Sequence, residues 1–150
     1  MSMSTNNFRL PDGSAIRMTD WTEGDCTFAP DAHVPRAFAI DLAGDQPGDH
    51  YGGADCVLGA SAEWLVRALT IIQESETVKP RCWLELIVSN KICWRLDVAS
   101  HLLPLATPAS RIELFMPIHI GGQERFRLQQ SGEDENKLSV TLHILKKSVY

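Results

Sequence analysis

The side chains able to do chemistry in this chain are few and scattered. His33, His50, His101, His119 and His143 fall at unrelated spacings, and GxSxG, GxGxxG, a phosphate-binding loop and HExxH are all absent. His119 and His143 both sit on the outward parity of alternating segments, so they would make a metal pair only if those segments were neighbours. Cys26, Cys56, Cys82 and Cys93 form no CxxC or other metal-knuckle spacing, and four in 150 residues are too few for a disulfide scaffold. They read as buried, reduced thiols. Asp41, Asp45 and Asp49 invite a calcium site, but the DxDxDG spacing and its closing bidentate Glu are missing, so they read as solvated turn acids. The residues assign no catalytic group, no cofactor and no metal.

The elements that would position any site follow a period of two. In Arg111 to Gln130 (RIELFMPIHIGGQERFRLQQ), Ile112, Leu114, Met116, Ile118, Ile120, Phe126 and Leu128 share one parity. Arg111, Glu113, His119, Gln123, Arg125 and Arg127 hold the other, as expected for strands with one buried face. Gly121 and Gly122 permit the positive dihedrals of a sharp corner. A tight hairpin there would set Ile118 beside Arg125 and Met116 beside Arg127, putting arginines on the core face. A glycine bulge would repair that register. A crossing to a facing sheet resolves it more simply, with both apolar sets in one core, and is the corner expected here.

Along the rest of the chain, residues 1–13 are polar and expected to be a flexible N-terminal segment, ending in the turn signal Pro11-Asp12-Gly13. A short strand is expected over 14–21, broken by Glu23-Gly24-Asp25, and another over 34–42, where Pro35 stands near the start. The glycine-rich stretch 43–61 reads as a long loop. Residues 62–74 are ambiguous. Leu65, Ala68, Leu69 and Ile72 make a helical face with Ser61 as cap, whereas a strand would be apolar on both faces; strand is favoured because everything after it is β. Residues 81–88 and 92–98 form a hairpin about Ser89-Asn90-Lys91 that pairs Val88 with Ile92, Leu86 with Trp94, Leu84 with Leu96 and, on the outer face, Glu85 with Arg95. That register puts Cys82 and Cys93 on opposite faces, unsuited to a disulfide. Residues 101–110 connect, 131–137 form a polar, acidic turn, and Leu138 to Lys146 alternate once more.

Length and composition suit one soluble globular domain over 14–150, with 44% hydrophobic and 22% charged residues. A net charge of −5 argues against a protein whose main task is gripping phosphate. Neither a secretion signal nor a membrane-spanning run is seen, so a cytoplasmic site of synthesis is expected.

Eight strands (14–21, 34–42, 63–73, 81–88, 92–98, 111–120, 123–130 and 138–146) imply an all-β sandwich or barrel. In an eight-stranded jelly roll only the fourth and fifth strands form a direct hairpin, and here only that pair has the parity of one; an eight-stranded jelly-roll β-sandwich is therefore expected. IRMTDWTEGD near the start and LFMPIHIGGQERFRL near the end resemble the jelly-roll capsid proteins of tailless icosahedral bacteriophages. The resemblance lies in the Asp20-Trp21 entry strand, the apolar-Pro-Ile-x-Ile strand, the tight corner and Gln123 before Phe126, and it covers about residues 8–28 and 81–145 in pattern.

The resemblance implies a structural subunit, penton or shell protein, that self-associates into a symmetric oligomer or icosahedral particle with other capsid proteins, and a virion location after assembly in the host cytoplasm. A basic N-terminal arm, frequent in small capsid proteins, is missing. The shell would then meet an internal membrane or another protein, with no sequence-specific nucleic-acid binding. A single barrel suits a vertex (penton) subunit or a shell of single-barrel units. Phe115, Trp83, Ile87, Leu69 and Ile71, on outward faces, are the expected subunit contacts, and the 43–61 loop is expected at a vertex or on the outer surface. The alternative is a small ligand- or carbohydrate-binding β-sandwich module with Trp83 as the ring platform. A cupin-like enzyme, third in order, needs a His-x-His, Glu and His cluster inside the barrel, where this sequence places Ile, Leu, Met, Val and Phe.

Overall fold

Twelve strands and one short helix were found in the computed structural model, which describes residues 7–9, 15–17, 21–30, 36, 38–40, 49–51, 55–59, 62–74, 77–102 and 109–148. In chain order they are β1 (Asn7–Arg9), β2 (Ala15–Arg17), β3 (Thr22–Pro30), β4 (Phe38–Ile40), β5 (Asp49–Tyr51), β6 (Asp55–Val57), β7 (Ala62–Gln73), β8 (Trp83–Val88), β9 (Lys91–Asp97), α1 (Val98–Leu102), β10 (Ala109–Ile120), β11 (Arg125–Ser131) and β12 (Leu138–Ser148). β1 and β2 pair with each other. The others build two five-stranded antiparallel sheets, ordered β10-β7-β12-β3-β4 and β5-β6-β11-β8-β9. From β6 onward successive strands change sheet, except β8 and β9, which pair directly. That is the connectivity of a jelly-roll β-sandwich.

The glycine corner crosses between sheets. Ile118 pairs with Val66 in one sheet and Arg125 with Val57 in the other. The glycines serve differently from expectation, since the positive φ belongs to Gln123 (64°). At Gly121 the N–H donates to Glu124 Oε1 at 2.7 Å, and an added Cβ would lie 3.0 Å from that oxygen, at the end of a side chain that can shift.

Residues 62–73 are a strand, and their two-sided apolarity has a mechanical cause. Ala68 pairs with His143 and Val66 with Ile144, which leaves Arg67 as an extra residue in β7. A bulge of one residue reverses side-chain parity. Trp64 and Val66 therefore face the core on one side of it, and Leu69 and Ile71 on the other.

Four segments depart from expectation. The first strand of the sandwich is β3, not 14–21, of which only β2 and Trp21 are among the described residues. Glu23-Gly24-Asp25 does not break a strand but alternates within one: Glu23, Asp25 and Thr27 outward, Gly24, Cys26 and Phe28 inward. Gly24, opposite Ile144, hides the period by supplying no side chain. β4, within the expected strand 34–42, pairs back onto β3 in the same sheet, and the facing sheet receives β6 instead. β5 and β6 lie inside the expected 43–61 loop, where glycines and aspartates mask the alternation of Cys56 and Leu58. The hairpin keeps Leu84–Leu96, Glu85–Arg95 and Leu86–Trp94, then shifts to pair Val88 with Lys91. Its turn is the two residues Ser89 and Asn90, both with positive φ (51° and 64°), the geometry whose twist suits a hairpin.

The core between the sheets is filled by apolar side chains, with the Trp64 and Phe126 rings 5.4 Å apart. Cys26, Cys56 and Cys82 are buried free thiols, and burial pushes the Cys56 thiol up to about 12. Cys93 is exposed, because it lies beside the hairpin's register shift rather than on an inward parity. The polar 131–137 turn is pinned from below. Gln130 and Asn136, both buried, exchange bonds through Asn136 N–H to Gln130 Oε1 (2.7 Å) and Gln130 Nε2 to Asn136 O (2.6 Å), while Asn136 Oδ1 accepts from Lys79 N–H (2.7 Å). Buried amides persist only when so satisfied.

Candidate functional site

The outer face of the β10-β7-β12-β3 sheet carries charge in rows fixed by the ladder. One row is Glu113, Ala68, His143 and Asp25; the next is Arg111, Thr70, Thr141 and Thr27. Asp25 Oδ1 lies 2.7 Å from His143 Nδ1, and Thr70 Oγ1 lies 2.6 Å from His143 Nε2. Arg67 projects from the bulge and bonds Glu23 at 3.2 Å, and Arg111 Nε bonds Glu113 Oε1 at 2.6 Å. The Arg111 bond, more than the surrounding charge, holds the Glu113 carboxyl below its ordinary range. Arg67 Nε is buried and unpaired. Glu23, Gly24, Asp25, Arg67, Arg111 and His143 line an open cleft of about 450 Å³.

Asp25, His143 and Thr70 stand in the order of an acid–base relay. Thr70 pairs with Arg111 on one side and Thr141 on the other, so the strand's amides are engaged in ladders rather than gathered about its hydroxyl. An oxyanion would need such gathered donors. The arrangement orders the sheet surface and fixes the His143 ring.

Beside this cleft the sheet is interrupted a second time. Between Glu113–Ala68 and Ile118–Val66, four residues of β10, Leu114 to Pro117, stand opposite the single Arg67. Pro117 has no N–H to give a ladder, which suits it to a bulge. Leu114 stays against the core, while Phe115 is pushed out to 99% exposure and Met116 to 54%. Met116 thus lies outside, contrary to its parity, because the bulge breaks the alternation. A hollow of about 160 Å³ adjoins the knob, lined by Arg67, Arg111, Glu113, Leu114, Phe115 and Pro117.

Of the five expected contact residues, Phe115 and Trp83 (37% exposed) reach the surface. Leu69, Ile71 and Ile87 do not. Leu69 and Ile71 are turned into the core by the Arg67 bulge, and Ile87 is 6% exposed in a row with Ile92 and Arg127. The Arg95 guanidinium lies 4.3 Å over one face of the Trp83 ring. Arg95 also bonds the buried Glu85 at 3.0 Å, and Gln129 bonds the same carboxylate at 2.9 Å. His119 and His143 lie on strands separated by β7, and His119 Nε2 is 3.8 Å from Glu63. Asp41, Asp45 and His33 lie outside the described residues.

No protein-family model matches the chain, and no curated protein matches it. Among solved structures, the crystal structure of pika GITRL matches over 80% of this chain and 94% of its own, at 7% identity and a TM-score of 0.40. A likeness this distant bears on no question of function. Among the described residues, no helix is long and apolar enough to cross a membrane.

Proposed function

We propose that this chain is a structural subunit rather than an enzyme, one that associates with copies of itself into a symmetric shell. The observation that carries the reading is Phe115, 99% exposed with Met116 on a bulge that the sheet geometry pushes outward. A phenylalanine left in water forgoes about 1.5–3 kcal/mol of burial. Phe and Met are enriched where subunits meet. A core filled by side chains such as Trp64, Leu86, Phe126 and Leu142 supports a structural role over catalysis inside the barrel. The narrower assignment, a penton or shell protein in the virion of a tailless icosahedral bacteriophage, rests on the resemblance of IRMTDWTEGD and LFMPIHIGGQERFRL. Its partners would be its own copies and other capsid proteins. With a net charge of −5 it would leave the genome to be neutralised elsewhere, by another protein or behind an internal membrane.

The alternative, a small ligand- or carbohydrate-binding module, draws on the 450 Å³ cleft beside Arg67 and His143. Negative-stain imaging of the purified protein separates the two. Rings of five or larger closed particles are expected. A dispersed monomer that binds glycans on an array would overturn the shell reading.

A further inference from the structure

We propose that the cleft beside His143 binds a neutral saccharide, held through a pair of neighbouring hydroxyls by Arg111 on one side and Asp25 on the other. The inference goes beyond the shell reading and does not depend on it. At about 450 Å³ the cleft lies within the range of small-molecule sites, about 300–1,000 Å³. Its lining side chains come from four adjacent strands of one sheet, β10, β7, β12 and β3, so the ladders fix their spacing. β10 and β3 stand three strand spacings apart, about 14 Å, so Arg111 and Asp25 flank the cleft from opposite sides.

The class of ligand follows from how the charges are already used. Arg67 Nη2 bonds Glu23 Oε1 at 3.2 Å, Arg111 Nε bonds Glu113 Oε1 at 2.6 Å, and Asp25 Oδ1 lies against His143 Nδ1. These pairs leave no surplus charge to draw an anion or a cation. Among the described residues no group of three or more His, Cys, Asp or Glu side chains could hold a metal ion. Hydrogen-bonding capacity is what remains. Arg111 keeps both Nη groups as donors and Asp25 keeps Oδ2 as an acceptor, with no further partner among the described residues. A hydroxyl donates and accepts, so two adjacent hydroxyls match a guanidinium fork and a carboxylate at once. His143, engaged at both ring nitrogens, offers the C–H face of a sugar its ring rather than a polar atom.

The test is an array of neutral and acidic glycans probed with the parent, Arg111→Met, Asp25→Asn and Trp83→Ala, followed by titration of the hits. The parent is expected to bind neutral glycans in preference to sialylated or sulfated ones. Arg111→Met and Asp25→Asn are each expected to weaken that binding about tenfold or more. Their melting temperatures should stay close to the parent's, because both side chains are at least half exposed. Trp83→Ala, on the facing sheet, should bind like the parent. A parent that binds no neutral glycan, a preference for acidic glycans, or cleft variants that bind like the parent would overturn the site, as would a loss confined to Trp83→Ala. Sedimentation of the same samples reads assembly separately. A particle that binds no glycan leaves the shell reading standing, and a monomer that binds through the cleft overturns the shell reading alone.

Discussion

Gly132 is held at φ +98°, and a Cβ added there would lie 2.5 Å from the Arg81 carbonyl oxygen. Backbone cannot yield as a flexible side chain can, so Gly132→Ala is expected to cost about 1–3 kcal/mol. Gly59 faces open space, and Gly59→Ala is expected to stay within about 0.5 kcal/mol of the parent. Thermal melts of the pair check this, and equal melting temperatures would contradict the close approach. On the same side of the 131–137 turn, the Arg81 N–H donates to Asp134 Oδ2 at 2.9 Å, and this bond holds the carboxyl below its ordinary range. A carboxyl depressed in the folded state contributes stability above its unfolded pKa and loses it as pH falls through the folded value. Asp134→Asn should therefore melt below the parent at neutral pH, with the gap closing under acid conditions where the parent's carboxyl also protonates. A gap that persists unchanged in acid would contradict the charge-based account.

At the scale of elements, β7 shows what alternation can and cannot reveal. Pairing in the hairpin was legible over Leu84 to Leu86, before its register shift, and the crossing at Gly121-Gly122 from the parity of Ile118 and Ile120 against Phe126 and Leu128 next to the corner. The face of 62–73 was not, because one bulged residue reverses parity and leaves apolar residues on both. The same limit hid Met116 in the Leu114–Pro117 bulge, where Pro117 was the only signal available. β3 was missed for a different reason, since Gly24 occupies an inward position and reads as a break. Deleting Arg67 leaves Val66 and Ala68 as consecutive residues opposite Ile144 and His143, so Trp64, Val66, Leu69 and Ile71 all still face the core. The deletion is therefore expected to keep cooperative unfolding, and Arg67→Ala loses only a partly exposed ion pair with Glu23, worth about 0–1 kcal/mol. Circular dichroism melts check this, and a deletion variant that no longer melts cooperatively would refute Arg67 as the extra residue.

For the whole molecule, the jelly-roll class followed from counting strands and finding the one direct hairpin, although β4 and β6 occupy different places than expected. The outer face was less legible. Its charged rows join residues more than a hundred apart in sequence, as in Asp25 with His143, and no local spacing announces them. The exposed knob could be named from the sequence, but its companion hollow exists only once Arg67 and Arg111 are brought beside it. The proposed structural role therefore rests on a surface that makes sense when copies meet. Sedimentation velocity over a range of protein concentrations tests that role most directly. The account predicts a fast boundary, pentameric or larger, that grows with concentration. A single boundary at the 16.7 kDa monomer throughout would contradict it.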